Sequence, residues 1–116
     1  MNIGNQIENN RSYLVTIEKL IKGEKDEDGF PLDDHWEPYY QNYAYINNLS
    51  GNERWMAAQV EQDMNVRFAF RWNKKLDVID AKNYRIKWGQ RIFNITFIDN
   101  VQYKNEGVKI DALEVG

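Results

Sequence analysis

The chain has 116 residues, enough for one domain with a single core, and carries a formal net charge of −3. Cysteine is absent, which excludes a disulfide framework, a thiolate nucleophile and a sulfur-ligated metal centre. No apolar run is long enough to cross a bilayer as a helix, and the polar opening MNIGNQIENN lacks the apolar segment of a secretion signal, so synthesis in a cytoplasm without export is expected.

Charge is unevenly distributed along the chain. Residues 24–34 hold Glu24, Asp26, Glu27, Asp28, Asp33 and Asp34 against Lys25 alone. Residues 66–91 hold Arg67, Arg71, Lys74, Lys75, Lys82, Arg85, Lys87 and Arg91 against Asp77 and Asp80. Solvated outer faces of strands and loops account for such a split without any ligand.

In chain order, residues 1–12 are Asn-rich and without period, which reads as a flexible arm; residues 13–116 form the single domain. Residues 13–21, YLVTIEKLI, alternate Tyr13, Val15 and Ile17 against Leu14, Thr16 and Glu18, the pattern of a first strand, although EKLIK also fits a helix start. Residues 23–38 read as a long acidic loop with an Asp28-Gly29 turn and two prolines, mobile and a candidate for function. Asp26, Asp28 and Gly29 match a fragment of a calcium loop, but the remaining ligands and the closing glutamate are missing, so no metal is expected there.

A second strand covers residues 36–48, with Tyr43, Tyr45 and Asn47 on one face and Ala44, Ile46 and Asn48 on the other. So dense a set of tyrosines suits either a stacking platform for single-stranded nucleic acid or ordinary strand packing. Ser50 and Glu53 then stand at capping-box spacing, and Met56, Val60 and Met64 repeat along one helical face, which predicts a short α-helix from about Gly51. After Met64 the period drops to two: Val66, Phe68, Phe70 and Trp72 point one way, Arg67, Ala69 and Arg71 the other.

Residues 73–83 connect, with Leu76, Val78 and Ile79 as a small apolar centre. Two alternating runs about Gly89-Gln90 predict a β-hairpin whose apolar face is Phe93, Ile95 and Phe97. A last strand runs from Val108 to Val115. About six strands at short spacing with one helix point to a small antiparallel β-barrel, mainly β in class.

Catalytic equipment is thin. His35 is the only histidine and sits between Asp34 and Trp36 in the acidic loop; of the two serines, Ser50 serves the cap and neither lies in a nucleophile elbow. No phosphate loop, paired-His motif or dinucleotide fingerprint is present, so neither enzyme activity nor a cofactor is expected.

The order of these segments resembles the head-tail joining proteins of tailed bacteriophages, also called head completion or stopper proteins. The residues that carry the resemblance are Asp28-Gly29 and His35-Trp36-Glu37 after the first strand, then Tyr43-Ala44-Tyr45-Ile46 running into Ser50-Gly51-Asn52-Glu53, with Ala57-Ala58 and Gln59 following. Val66-Arg67-Phe68, Arg71-Trp72, residues 74–77, Tyr84-Arg85-Ile86, Trp88-Gly89-Gln90, Phe93-Asn94-Ile95 and residues 98–101 look most like versions from phages and prophages of Gram-positive bacteria. The usual basic start is here reduced to Arg11 within the Asn-rich arm.

What the resemblance implies is a non-enzymatic virion protein, made in the bacterial host cytoplasm, that docks as a homo-oligomeric ring beneath the portal or adaptor ring after DNA packaging. It would help retain the genome and offer a surface to the tail-completion protein, with packaged DNA in the channel and no membrane. Its expected interaction residues are Glu24, Asp26, Glu27, Asp28, Asp33 and Asp34 of the acidic loop and Asn52, Arg54 and Glu61 of the helix. The competing reading is a small nucleic-acid-binding barrel that uses Arg67, Arg71, Lys74, Lys75, Arg85, Lys87 and Arg91.

Overall fold

The structure, a computed structural model, describes residues 11–48, 65–100 and 104–115. Six strands form in chain order: β1 Ser12–Ile21, β2 His35–Asn48, β3 Asn65–Arg71, β4 Tyr84–Trp88, β5 Arg91–Asn100 and β6 Gly107–Glu114. All neighbours are antiparallel and they close in the order β1-β2-β3-β6-β5-β4, with β4 pairing back onto β1. The expected small antiparallel barrel is therefore the observed one. The expected helix over residues 51–64 lies outside the described residues; among those described, the only helical turn is the 3-10 turn Lys74–Asp77.

Alternation decides the interior. Val15 and Ile17 of β1, Ala44 of β2, Val66, Phe68 and Phe70 of β3, Ile86 of β4, Phe93 and Ile95 of β5, and Val108, Ile110 and Ala112 of β6 are buried. Phe68 and Phe93 meet edge to face at 5.0 Å in the centre. Where the six strands close on one another little edge is left open, and the inward side chains fill the interior.

Two register shifts change what the simple period-two pattern predicts. Ile95 pairs with Ala112 but Phe97 pairs with Asp111, so Thr96 is an extra residue in β5. Its hydroxyl donates to the Asp111 carbonyl at 3.0 Å. The bulge turns Phe97 outward, 59% exposed, and brings Ile98 opposite Ile110. The expected apolar face of Phe93, Ile95 and Phe97 is corrected accordingly: Phe97 is a surface residue. The second shift, between Ile17 and Glu18, makes Tyr39 the extra residue in β2; Glu18, opposite Arg85 in the unbroken β1–β4 register, is buried beside that guanidinium.

β2 begins at His35, so Trp36, Glu37 and Pro38 are strand and not loop. Here β2 pairs only with β1, because β3 joins it from Ala44 onward. Pro38 is thus on an edge, where a missing N–H does no harm. Further along β2, Ala44 turns inward while Tyr43 and Tyr45 remain 60% and 49% exposed.

The connections sort to the two ends of the barrel. Residues 22–34, 72–83 and 104–106 all lie at one end, whereas the Gly89-Gln90 turn and the ends of β1, β2, β3 and β6 that carry Ser12, Asn48, Asn65 and Glu114 lie at the other. Gly89, with φ 62°, occupies the first central position of the β4–β5 turn, where a two-residue hairpin turn calls for positive φ. At the first end the bulge residue Tyr39 donates its hydroxyl to the Lys75 carbonyl at 2.7 Å and packs edge-on against Tyr84 at 5.1 Å. Buried Leu76 and Ile79 from the 72–83 connection complete that closure, while Val78 points out.

Candidate docking surface

The acidic segment is a second, smaller hairpin that continues β1 and β2 past the barrel. Lys25 bridges to Pro31, the Leu32 amide donates to the Glu24 carbonyl at 2.8 Å, and the Asp26 amide donates to the Phe30 carbonyl at 2.8 Å. Its turn is set by Asp26, whose Oδ1 accepts from the amides of Asp28 (2.9 Å) and Phe30 (2.8 Å). Gly29 follows with φ 84°, the left-handed conformation that only glycine enters cheaply. Asp26 therefore builds the turn, and among the described residues no three potential ligands are grouped for a metal.

The base of the hairpin is just as specific. A Cβ on Gly23 would collide with the Leu32 carbonyl, so the two arms can cross closely only with glycine here. Asp34 Oδ1 accepts the Gly23 amide at 2.8 Å and its Oδ2 accepts Lys22 Nζ at 3.3 Å. These bonds, the amide first, hold the Asp34 carboxyl below the usual carboxylate range. His35 Nε2 and Glu37 Oε2 lie 2.6 Å apart across the outer face of β2, and that bond raises the imidazole above its ordinary value.

With Asp26 and Asp34 committed to geometry, Glu24, Glu27, Asp28 and Asp33 are the acidic groups presented to solvent. Two large apolar side chains stand among them: Phe30 is 65% and Leu32 54% exposed. The sequence reading missed this pair, although Phe30-Pro31-Leu32 is an apolar island in an otherwise charged run and could have signalled it. Of the other expected interaction residues, Asn52, Arg54 and Glu61 lie outside the described residues.

A hollow of about 370 Å³ opens at the same end of the barrel, on the β5/β6 side. Leu76, Ile79, Phe97, Ile98 and Val108 supply its apolar lining, with Asp77, Asp99 and Asn100 at the margin. It exists because the Thr96 bulge turns Phe97 out beside the 3-10 turn.

The basic residues do not converge into a groove. Arg67 is held by Asp111 through two bonds of 2.7 and 3.1 Å, Arg91 by Glu114 through two of 2.8 and 2.7 Å, and Arg85 by Glu18 at 2.7 Å. Lys75 Nζ donates to the Tyr39 carbonyl at 3.3 Å and stands 5.2 Å over its ring. Of the seven cations that a nucleic-acid reading would enlist, these four are committed within the fold. The outward tyrosines, Tyr43 and Tyr45, border a smaller hollow of about 230 Å³ with Ser12, Asn42, Ala69 and Arg71.

One pH dependence follows from these pairs. The Arg91 guanidinium beside Glu114 holds that carboxyl below its ordinary value. A carboxyl depressed in the folded state contributes stability that is complete above the unfolded value and disappears as pH falls through the folded one. Glu114→Gln should therefore lower Tm at neutral pH, where the contribution is complete, and flatten the acid limb of the Tm against pH curve until variant and parent converge at low pH.

These features can be set beside known proteins. A model of the family described as phage head completion protein matches residues 9–115. Among solved structures, protein SF1141 from Shigella flexneri 2a superposes with a TM-score of 0.64 at 27% identity, over 98% of this chain and 96% of that one. A chain of the native gene transfer agent virion superposes with a TM-score of 0.51 at 18% identity, over 90% and 96%, a likeness of fold. No curated protein matches. The family match takes in every strand of the barrel together with the acidic hairpin, and the chain belongs to the phage head completion protein family.

Proposed function

We propose that the protein is a structural component of the virion at the head-tail junction. Copies assemble as a ring beneath the portal or its adaptor after packaging, help retain the DNA and offer the surface to which the tail-completion protein binds. The observation that carries this reading is the family match across the whole barrel. The surface chemistry is in keeping with it: the conspicuous exposed features are a projecting acidic-apolar hairpin and a mixed polar and apolar hollow, both suited to protein partners, and Arg67, Arg85 and Arg91 are ion-paired.

A small barrel buries little area in any one contact, so a ring gains its hold by repeating a contact around a closed symmetry. Ordering of exposed segments on docking lets one small protein bridge two larger assemblies. The acidic hairpin then either meets a basic neighbour or borders the channel, where like charge keeps DNA from adhering.

Particles assembled without this protein test the reading. Heads should package but lose DNA on storage and lack tails by electron microscopy, and purified protein added back should restore tail joining. Full, tailed, infectious particles formed in its absence would overturn it. A gel shift at low salt addresses the nucleic-acid alternative: micromolar binding that weakens steeply with salt would favour that reading.

A further inference from the structure

The projecting hairpin and the hollow stand on opposite walls of the barrel. In the closed order β1-β2-β3-β6-β5-β4, the β1/β2 wall that bears the hairpin lies across from the β6/β5 wall that bears Phe97, Ile98 and Val108. Both are at the same end of the barrel. A projection on one wall and a recess at the same height on the opposite wall are what a head-to-tail contact between identical copies needs, and such contacts generate rings when the rotation closes.

Apolar surface is exposed on both sides of this match: Phe30 and Leu32 on the hairpin, Phe97 and Val78 at the hollow and its border. At about 370 Å³ the recess is near the small end of the range for ligand pockets, about 300–1,000 Å³. A recess of that size takes one or two side chains.

Charge complements shape. Six carboxylates against Lys25 give residues 24–34 a net −5, which leaves the rest of the chain at +2. Lys74 lies two residues before Leu76 of the hollow and Lys109 follows Val108, both exposed, whereas Lys75 is turned to Tyr39. Of the two margin carboxylates, Asp77 already accepts the Trp72 indole N–H at 2.9 Å, and Asp99 stands opposite Lys109 in the β5–β6 register.

We propose that the 22–34 hairpin of one copy seats Phe30 and Leu32 in the Leu76, Phe97 and Val108 hollow of the next copy, with Glu24, Glu27, Asp28 and Asp33 facing that copy's lysines. This rests on the ring reading above and names the contact that would build the ring.

The natural absence of cysteine makes the test direct. Phe30→Cys and Phe97→Cys both replace exposed side chains, so the barrel should fold, and Leu32→Cys with Val78→Cys supplies a second pair. Particles carrying both substitutions in one chain are oxidised with glutathione disulfide and run without reductant. Because Phe30 and Phe97 lie on opposite walls, that pair is beyond disulfide reach within one chain, and only a neighbour can complete its bond.

A ladder of cross-linked oligomers that consumes most of the monomer is expected from double variants, and a single dimer band from a mixture of the two single variants. Rings visible in the particles but uncross-linked by either pair would overturn the hairpin contact and leave the ring reading standing. Absence of any ring would overturn both.

Discussion

Replacing Phe68 with alanine is expected to destabilise the protein by about 3–5 kcal/mol, the usual range for a buried phenylalanine, whereas Phe97→Ala should cost less than about 1 kcal/mol. Phe68 is fully buried on β3, faces Ile46 of β2 and Ile110 of β6 in register, and packs on Phe93 across the barrel. Nothing can slide into the space it leaves, because the surrounding strands are tied into a closed sheet. A domain of this size has roughly 5–15 kcal/mol of stability, so Phe68→Ala should leave a marginal fold at 37 °C. Phe97 is two residues past Ile95 and carries the same chemistry, yet it lies on the surface. Urea unfolding of the two variants measures the contrast. A similar loss from both would mean that Phe97 is packed inside and that the β5 bulge is misplaced.

That contrast marks how far the sequence was legible. Strand number, antiparallel class, the inward set Val66, Phe68 and Phe70 and the two-residue turn at Gly89 are all written in local pattern, and local pattern is what a reader can score. The bulges are not. One inserted residue in β5 leaves the alternation of residues 91–97 intact on paper, while the partner strand, distant in sequence, decides where it breaks. Glu18 was hidden because its burial depends on a partner distant in sequence, Arg85, 67 residues away. The acidic stretch was visible by composition, and so was its Asp28-Gly29 turn, but its hairpin form depends on Gly23 meeting Leu32 and on which carboxylates the backbone takes up. The hollow was the least legible feature, since it is assembled from the 3-10 turn, β5 and β6 together.

Arg85→Ala should be the second costly change, about 3 kcal/mol, at the lower end of the about 3–5 expected for breaking a buried pair because the guanidinium remains about a quarter exposed. Glu18 would be left with its carboxylate largely buried beside Ile17 and without its cation. Arg85 also stacks on the Trp36 ring at 4.3 Å, so one side chain ties β4 to β1 and to the start of β2 just after the acidic hairpin. The double substitution Glu18→Leu with Arg85→Met should recover much of the loss, since a well-packed apolar pair can replace a buried ion pair. Its recovery should be incomplete at Trp36, where the cation–π contact of roughly 0.5–2 kcal/mol is gone. Amide exchange at His35, Trp36 and Lys22 would separate the two contributions: faster exchange there in the double variant, with the rest of the barrel protected, identifies Arg85 as the clamp that fixes the hairpin's direction. Unchanged exchange at those amides would confine Arg85 to the core. Because a docking hairpin must leave the barrel at one angle to meet a neighbour, the first outcome predicts that the double variant folds normally and still assembles poorly.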